Sequence, residues 1–286
     1  NKITSKQVKK FSGFAVERSM PTMYKMTLRK WLSPRPLKGG KRVYLFCDEF
    51  TNYNDTEIGI KAILLLEKLG YEVVIPKHEE SGRAWLSKGL LRDAKKIAEK
   101  NVRMLSKVIS EDAPLIGIEP SAILTFRDEY VDLVDDDQLE AARNLSSNVY
   151  MVDEFLTKEI AKGHITKEQF TSEKKLVKLH GHCQQKAWNA LAASVNILSL
   201  PENYTVETIP SGCCGMAGSF GYEKEHYDIS MQIGELVLLP TVRSLPADVI
   251  IAAPGTSCRH QIKDGANRKA KHPVEILYEA LVTRNP

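Results

Sequence analysis

The chain has 286 residues, of which 43% are hydrophobic and 27% charged, and its formal net charge is +4. This composition is typical of a globular protein with about two domains of ordinary size and excludes a disordered or collagen-like chain. The small net charge indicates no nucleic-acid partner, and no apolar run approaches the roughly 18–20 residues that a transmembrane segment needs.

The first 40 residues are rich in lysine and arginine. They predict one or two basic helices followed by a proline-rich connector, Ser33-Pro34-Arg35-Pro36. The basic side chains are interpreted as a solvated linker and helix face, with a docking patch for an acidic partner as the alternative.

Beyond residue 40, strand and helix signals alternate. Strands are predicted at 43–46, 71–75, 115–118, 176–179, 206–209 and 249–253. Helices are predicted at 56–69, 87–109, 121–133, 184–198, 222–245 (interrupted at Pro240), 258–268 and 273–282, with further polar helices over 135–174. Asp55 is predicted to cap the first helix and Gly70 to end it. The alternation indicates an α/β fold with mainly parallel sheets.

The two halves of the chain carry the same order of elements. Aligned by that order, Glu80-Ser81-Gly82 lies opposite Cys213-Cys214-Gly215, and 119–122 lies opposite 255–258. We therefore expect two pseudo-repeated α/β halves after a short helical N-terminal segment. The expected boundaries are 1–40 for the basic segment and linker, 41–136 for the first repeat and 137–286 for the second.

Four of the five cysteines follow predicted strands of the second half: Cys183, Cys213, Cys214 and Cys258. Because the carboxyl ends of parallel strands share one edge of a sheet, these thiols are expected to meet there. Adjacent thiols followed by a glycine are hard to explain as core packing. Converging thiolates usually hold a soft metal or an iron–sulfur cluster.

Zinc is the main chemical alternative to a cluster. Zinc sites often use close Cys-x-x-Cys pairs, and this chain has none. His180 or His182 could supply a nitrogen ligand. We place His182 beside the ligands rather than on the metal, together with Gly215, whose backbone N–H suits the negative charge of a thiolate.

Two further alternatives stay open at this point. The glycines of the loop, spaced as Gly215-x-x-Gly218-x-x-Gly221, weakly resemble a phosphate-binding motif. One of the paired cysteines could also act as a nucleophile with a nearby histidine. Cys47 alone is interpreted as a core residue.

Three motifs of the second half resemble those of the CCG, or cysteine-rich, domain family. They are HGHCQQKA at 180–187, SGCCGMAGSFGYE at 211–223 and PGTSCRHQI at 254–262. This domain occurs in heterodisulfide reductase and in the iron–sulfur subunits of glycolate and lactate oxidases. The resemblance covers residues 14–286 and is closest to the C-terminal region of fused FAD-linked oxidases of the D-lactate dehydrogenase type.

The family pattern is one cysteine, then Cys-Cys-Gly, then Cys-x-x-Cys in each repeat. The second repeat matches at the four cysteines named above and departs at Gly255, where the first cysteine of Cys-x-x-Cys would lie. The first repeat departs further, with Glu80, Ser81, Glu119 and Ala122 at ligand positions. The resemblance implies one [4Fe–4S] cluster in the second repeat and a first repeat that serves as scaffold.

By resemblance, the chain is expected to be the electron-transfer part of a flavin-linked oxidoreductase for a 2-hydroxy acid such as lactate or glycolate. FAD and a ferredoxin-like cluster would belong to domains or subunits upstream of this chain, and the acceptor would be a quinone or another carrier. The enzyme-class alternative is reduction of a thiol or disulfide, and the structural alternative is a zinc-bound interaction domain. With no signal peptide visible, we expect a cytoplasmic protein, either free or peripheral on the cytoplasmic face of the membrane.

Overall fold

The computed structural model describes residues 7–9, 11–37 and 39–282. The fold is α/β, with helices packed on two parallel sheets, as the alternation of elements predicts. Of the predicted N-terminal segment, residues 1–6, 10 and 38 lie outside the described residues, as do residues 283–286 at the other end.

The sheets of the described chain are built from seven strands. They are β1 Lys41–Phe46, β2 Tyr71–Val74, β3 Leu115–Gly117, β4 Val149–Met151, β5 Lys175–Leu179, β6 Tyr204–Thr208 and β7 Ile250–Ala252. The first sheet has the order β2-β1-β3-β4 and the second has the order β6-β5-β7, with every pair parallel. In each sheet the earliest strand is flanked by the next two, so the second sheet repeats the arrangement β2-β1-β3.

The named helices are α1 Leu28–Leu32, α2 Glu49–Tyr53, α3 Thr56–Lys68, α4 Arg83–Ser87, α5 Leu91–Leu105, α6 Pro120–Ile123, α7 Glu129–Leu133, α8 Asp136–Ser147, α9 Val152–Ala161, α10 Cys183–Ala187, α11 Leu191–Leu198, α12 Tyr227–Glu235, α13 Leu238–Ser244, α14 Thr256–Ala266 and α15 Pro273–Ala280. Short 3-10 turns occur at Leu124–Phe126, Lys167–Gln169, Phe220–Tyr222 and Lys224–His226. No helix in the described part of the chain is long and apolar enough to cross a membrane.

Several predicted helices are divided in the structure. The predicted helix 87–109 is α4 and α5, separated at Gly89 with φ 71°, and 184–198 is α10 and α11, separated at Asn189 with φ 51°. A residue in the left-handed region cannot continue a right-handed helix. The predicted helix 121–133 is likewise α6, a 3-10 turn and α7.

The predicted interruption at Pro240 was wrong. The helical stretch breaks between α12 and α13, and Pro240 is the third residue of α13. The first four N–H groups of a helix have no acceptor within it, so a proline there loses no hydrogen bond.

Strand β4 was not predicted, because three residues between polar helices give too short a signal. It pairs with β3, so the first sheet extends past the expected boundary between residues 136 and 137. The division of the chain into two repeats at that point stays a prediction.

The two sheets share one hydrophobic core. It combines buried residues of α3, α9, α11 and α15 with inward-facing residues of both sheets, such as Leu45 and Val177. A second core, which includes Phe46, covers the outer face of the first sheet, and a third covers the outer face of the second sheet. Because alternate residues of a strand face opposite sides, Leu45 and Phe46 contribute to different cores.

The N-terminal segment contacts both halves of the chain. The backbone at Gly13 and Ala15 hydrogen bonds with Lys224 and Tyr222 of the second half. Leu28 in α1 is then buried in the core that the two sheets share. The segment is therefore anchored through a few buried residues, whereas most of its described residues are exposed, as expected for a solvated linker.

Candidate metal centre

Four cysteines lie at the carboxyl ends of three neighbouring strands. Cys183 begins α10 after β5, Cys213 and Cys214 lie in the loop after β6, and Cys258 lies in the first turn of α14 after β7. Since β5 stands between β6 and β7, the three loops meet at one edge of the second sheet. The four cysteines therefore lie at one edge of the second sheet, where the sequence predicts them.

The four thiols influence one another's pKa in series, Cys183 with Cys213, Cys213 with Cys214 and Cys214 with Cys258. Interaction with the neighbouring thiol is the largest cause of each shift. It lowers the pKa of Cys213 and of Cys258 and raises the pKa of Cys183 and of Cys214. The thiols therefore titrate as a group, and the thiolate is the form that binds metals.

The site has a buried side and an open side. Cys214 and Cys258 are 5% and 1% exposed, whereas Cys183 is exposed and Cys213 is intermediate. All the cysteines are free thiols. A group held here would be shielded by the outer core of the second sheet and would approach solvent beside Cys183.

Gly215 follows the paired cysteines in a conformation that suits glycine. Its φ is 95°, and a Cβ atom there would lie 2.2 Å from the carbonyl oxygen of Ser230. Its backbone nitrogen donates a hydrogen bond to the sulfur of Cys213 at 3.3 Å. Any other residue would strain the loop that presents the thiols.

His182 occupies space that a side chain at position 255 would need. A Cβ atom on Gly255 would lie 2.4 Å from Cδ2 of His182 and 3.3 Å from the sulfur of Cys258. His182 also accepts a hydrogen bond through Nδ1 from the backbone of Gln184, which caps α10. At position 255, where the resemblance to the CCG domain predicts a cysteine, the imidazole of His182 thus fills the space that a side chain would need.

His180 also faces the thiols. It is 1% exposed, and its Nδ1 lies 2.7 Å from the hydroxyl oxygen of Ser211. Its Nε2 has no hydrogen-bond partner among the described residues. The ligand atoms of His180, Cys214 and Cys258 lie within 4.8 Å of one another.

The donor set fits a thiolate-ligated metal or cluster. His180, Cys214 and Cys258 form a compact group, and Cys183 and Cys213 lie in loops at the same edge of the sheet. Soft sulfur ligands are typical of zinc and iron–sulfur sites. From the sequence, His180 could be named only as one of two possible nitrogen donors. Its position directly after β5 indicates that it lies near the cysteines. The orientation of its ring depends on Ser211 and could not be predicted.

Two carboxylates of the first half support the helix that carries Cys258. Oε2 of Glu119 accepts a hydrogen bond from the backbone nitrogen of Thr256 at 2.8 Å. The carboxylate of Asp55 accepts bonds from Oγ1 of Thr256 and Nη2 of Arg259, each at 2.5 Å. Asp55 was predicted to cap α3, but its side chain makes no capping bond there. Burial raises the pKa of Asp55, but Arg259 and Thr256 outweigh it, so the pKa is lowered overall.

Arg18 ties the N-terminal segment to the cysteine loop. It is 0% exposed and donates to the carbonyl of Gly221 at 2.7 Å, to Oε1 of Gln261 at 2.5 Å and to the hydroxyl of Ser230 at 2.7 Å. Ser230 is the residue against which Gly215 packs. The composition of the segment gave no means of separating this arginine from the exposed basic residues.

In the first half, the loops that align with the cysteine loops form hydrogen bonds or packing contacts within the protein. Ser81 donates to both carboxylate oxygens of Glu49, at 3.1 Å from its nitrogen and 2.6 Å from its hydroxyl. Ala122 is buried in the outer core of the first sheet. Burial raises the pKa of Cys47 to about 12, so this thiol favours its protonated form.

The chain is similar to several proteins of known function. It is 28% identical to D-2-hydroxyglutarate dehydrogenase of Escherichia coli K12 over 264 residues, which are 90% of this chain and 24% of that protein. A subunit of the anaerobic glycerol-3-phosphate dehydrogenase of the same organism is 23% identical over 92% of this chain and 66% of its own length. Lactate utilization protein A of Macrococcus caseolyticus is 25% identical over 85% of this chain and 100% of its own length.

The first of these relatives is much longer than this chain, which spans about a quarter of its length. No family model matches the chain. The relatives are dehydrogenases, a dehydrogenase subunit and a lactate utilization protein, which associates this chain with oxidoreductases.

Proposed function

We propose that this chain is an iron–sulfur electron-transfer module of a flavin-linked 2-hydroxy-acid dehydrogenase of the D-lactate or glycolate type. In this proposal Cys183, Cys213, Cys214 and Cys258 hold one [4Fe–4S] cluster, with His182 and Gly215 beside the ligands. Flavin and ferredoxin-like domains or subunits outside this chain supply the electrons, and a quinone or another carrier accepts them.

The convergence of four free thiols at one sheet edge is the observation that carries the proposal. The names of the relatives support the substrate class, because D-2-hydroxyglutarate and lactate are both 2-hydroxy acids. A dehydrogenase subunit among the relatives supports a role beside partner domains or subunits.

The chain's own contribution is to hold and shield the redox group. A bound cluster would supply one-electron transfer. Cys214 and Cys258 keep its inner side dry, and the exposed Cys183 marks the side that is open to a redox partner. We therefore assign the electron entry or exit path to the surface around α10.

The proposal is tested by iron and acid-labile sulfide analysis of the chain purified without oxygen. About four irons and four sulfides per chain are expected for a [4Fe–4S] cluster. Cys214→Ser should lose them, whereas Cys47→Ser, a matched change at another buried cysteine, should keep them. Failure of the reduced chain to bind iron and sulfide would rule the module out.

Two alternatives are supported by particular features. The exposed thiol of Cys183 suits reduction of a thiol or disulfide at the centre, and spectral changes on adding thiols would favour that role. The compact group of His180, Cys214 and Cys258 suits zinc. One zinc per chain without sulfide would assign the site to a structural metal.

A further inference from the structure

We infer that His180 is a further ligand of the metal centre, bound through Nε2, an inference that rests on the proposed metal-binding function. It adds a nitrogen donor to the four cysteines and gives the centre a mixed sulfur and nitrogen ligand set. The inference depends on three features of His180, which are its hydrogen bond, its burial and its distance from the thiols.

The hydrogen bonds of Ser211 allow Nε2 of His180 to be the free ring nitrogen. The Ser211 hydroxyl donates to the carbonyl of Ile209 at 3.4 Å, so its oxygen can accept from Nδ1–H of His180, which lies 2.7 Å away. In this arrangement the proton resides on Nδ1, and Nε2 keeps its lone pair. Histidines that bind metals usually donate their other ring N–H to a nearby acceptor in this way.

The ring of His180 is buried beside two of the thiols. It is 1% exposed, and Nε2 has no hydrogen-bond partner in the described part of the chain. A ring nitrogen of His180 and the sulfurs of Cys214 and Cys258 lie within 4.8 Å of one another. A metal held between these three residues would take a ligand from each of them and would give the buried Nε2 a partner.

The altered motif explains why a nitrogen ligand is useful here. Position 255 lacks the thiol of the family pattern, and His182 fills its space without a place for another sulfur. His180 therefore restores a fifth donor on the buried side, beside Cys258. Because imidazole is neutral, the centre carries less negative charge than five thiolates would give it, and replacing thiolate with imidazole raises the reduction potential of a cluster.

The test uses the anaerobically purified chain, prepared once at natural isotope abundance and once with ¹⁵N-histidine. Pulsed electron paramagnetic resonance of the reduced centre should reveal a strong nitrogen coupling that changes with the label. The coupling should be lost in His180→Ala and kept in His164→Asn, a change at a half-exposed histidine that contacts none of the cysteines. A weak coupling typical of an N–H···S hydrogen bond, or one that His180→Ala retains, overturns the inference.

A second variant, in which another ligand replaces the histidine, keeps the test informative if His180→Ala does not fold. His180→Cys should retain iron, lose the nitrogen coupling and lower the reduction potential, because a thiolate replaces a neutral ligand. An unchanged potential would contradict ligation by His180.

Metal content separates this inference from the proposed function. Iron and sulfide without nitrogen coupling refutes His180 as a ligand and leaves the electron-transfer module standing. Zinc without sulfide refutes the module, and X-ray absorption at the zinc edge then shows whether imidazole is bound. A chain that binds neither metal refutes both.

Discussion

Glu119 of the first half accepts a hydrogen bond from the backbone nitrogen of Thr256 in the second half, at 2.8 Å. Thr256 begins α14, the helix whose first turn carries Cys258. The other carboxylate oxygen of Glu119 accepts from the hydroxyl of Ser121 at 2.8 Å. A carboxylate of the first half thus caps the cysteine-bearing helix of the second half, where negative charge is favourable.

Glu119→Ala should lower the free energy of unfolding by about 1–3 kcal/mol, because it leaves a buried backbone N–H without an acceptor. Glu119→Gln, which keeps a carbonyl oxygen at the same place, should lose less. Urea unfolding of the metal-free chain measures both variants. Glu140→Ala, at an exposed carboxylate on α8, is the control, and an equal loss there would contradict the capping role.

Arg18→Met should destabilise the chain by about 3 kcal/mol, because three buried acceptors lose their donor. It should also speed the release of bound metal, since Ser230 and Gln261 pack against Gly215 in the cysteine loop. Metal release to a chelator and urea unfolding are the measurements. Lys25→Ala, an exposed basic residue of the same segment, should change neither. Release at the unaltered rate would show that Arg18 does not position the loop.

Gly255→Cys introduces the cysteine that the resemblance to the CCG domain predicts, yet we expect it to destabilise the chain by about 1–3 kcal/mol through overpacking against His182. The double variant Gly255→Cys with His182→Ala should recover part of that loss, because the removed ring makes room. Thermal unfolding of the two single variants and the double variant forms a cycle. Additive losses would mean that the two positions do not compete for space.

Asp48 should make stability depend on pH. It is fully buried, and burial raises its pKa from 3.8 to about 8. Between these values the folded chain holds a proton that the unfolded chain has released, so this residue's contribution to stability declines as pH rises from about 4 to 8.

Asp48→Asn should therefore flatten the pH dependence of stability. Between pH 5 and pH 8, the free energy of unfolding of the parent should fall by at least about 1 kcal/mol more than that of the variant. Asparagine can still accept the hydrogen bond from the nitrogen of Thr51, which Asp48 accepts at 2.8 Å. Urea unfolding at both pH values is the measurement. If the free energy of unfolding depends on pH in the same way for the parent and the variant, Asp48 does not titrate between pH 5 and pH 8.

The strands and the sheet edge that holds the cysteines could be predicted because their signals are local. Buried parallel strands form short apolar runs, and the cysteines directly follow them. Breaks in helices were harder to predict. Asn189, for example, adopts a left-handed conformation that the neighbouring residues in the sequence do not indicate.

The supporting residues of the site depend on contacts across the fold. Asp55 is separated from Arg259 by 204 residues, and Arg18 from Gln261 by 243. Local pattern favoured Asp55 as a helix cap because a carboxylate before a helix usually has that role. Packing of the two halves instead brings the Asp55 carboxylate to Arg259, and only the three-dimensional structure shows this contact.

The core shared by the two sheets limits how this protein can be dissected. Helices α3 and α15 come from opposite halves and bury their apolar faces in the same interior. A fragment cut to the cysteine-bearing half would expose that interior to water and would also lose Glu119 and Asp55 from the start of α14. The smallest unit suited to biochemical work on the thiols is therefore both halves together with the N-terminal segment.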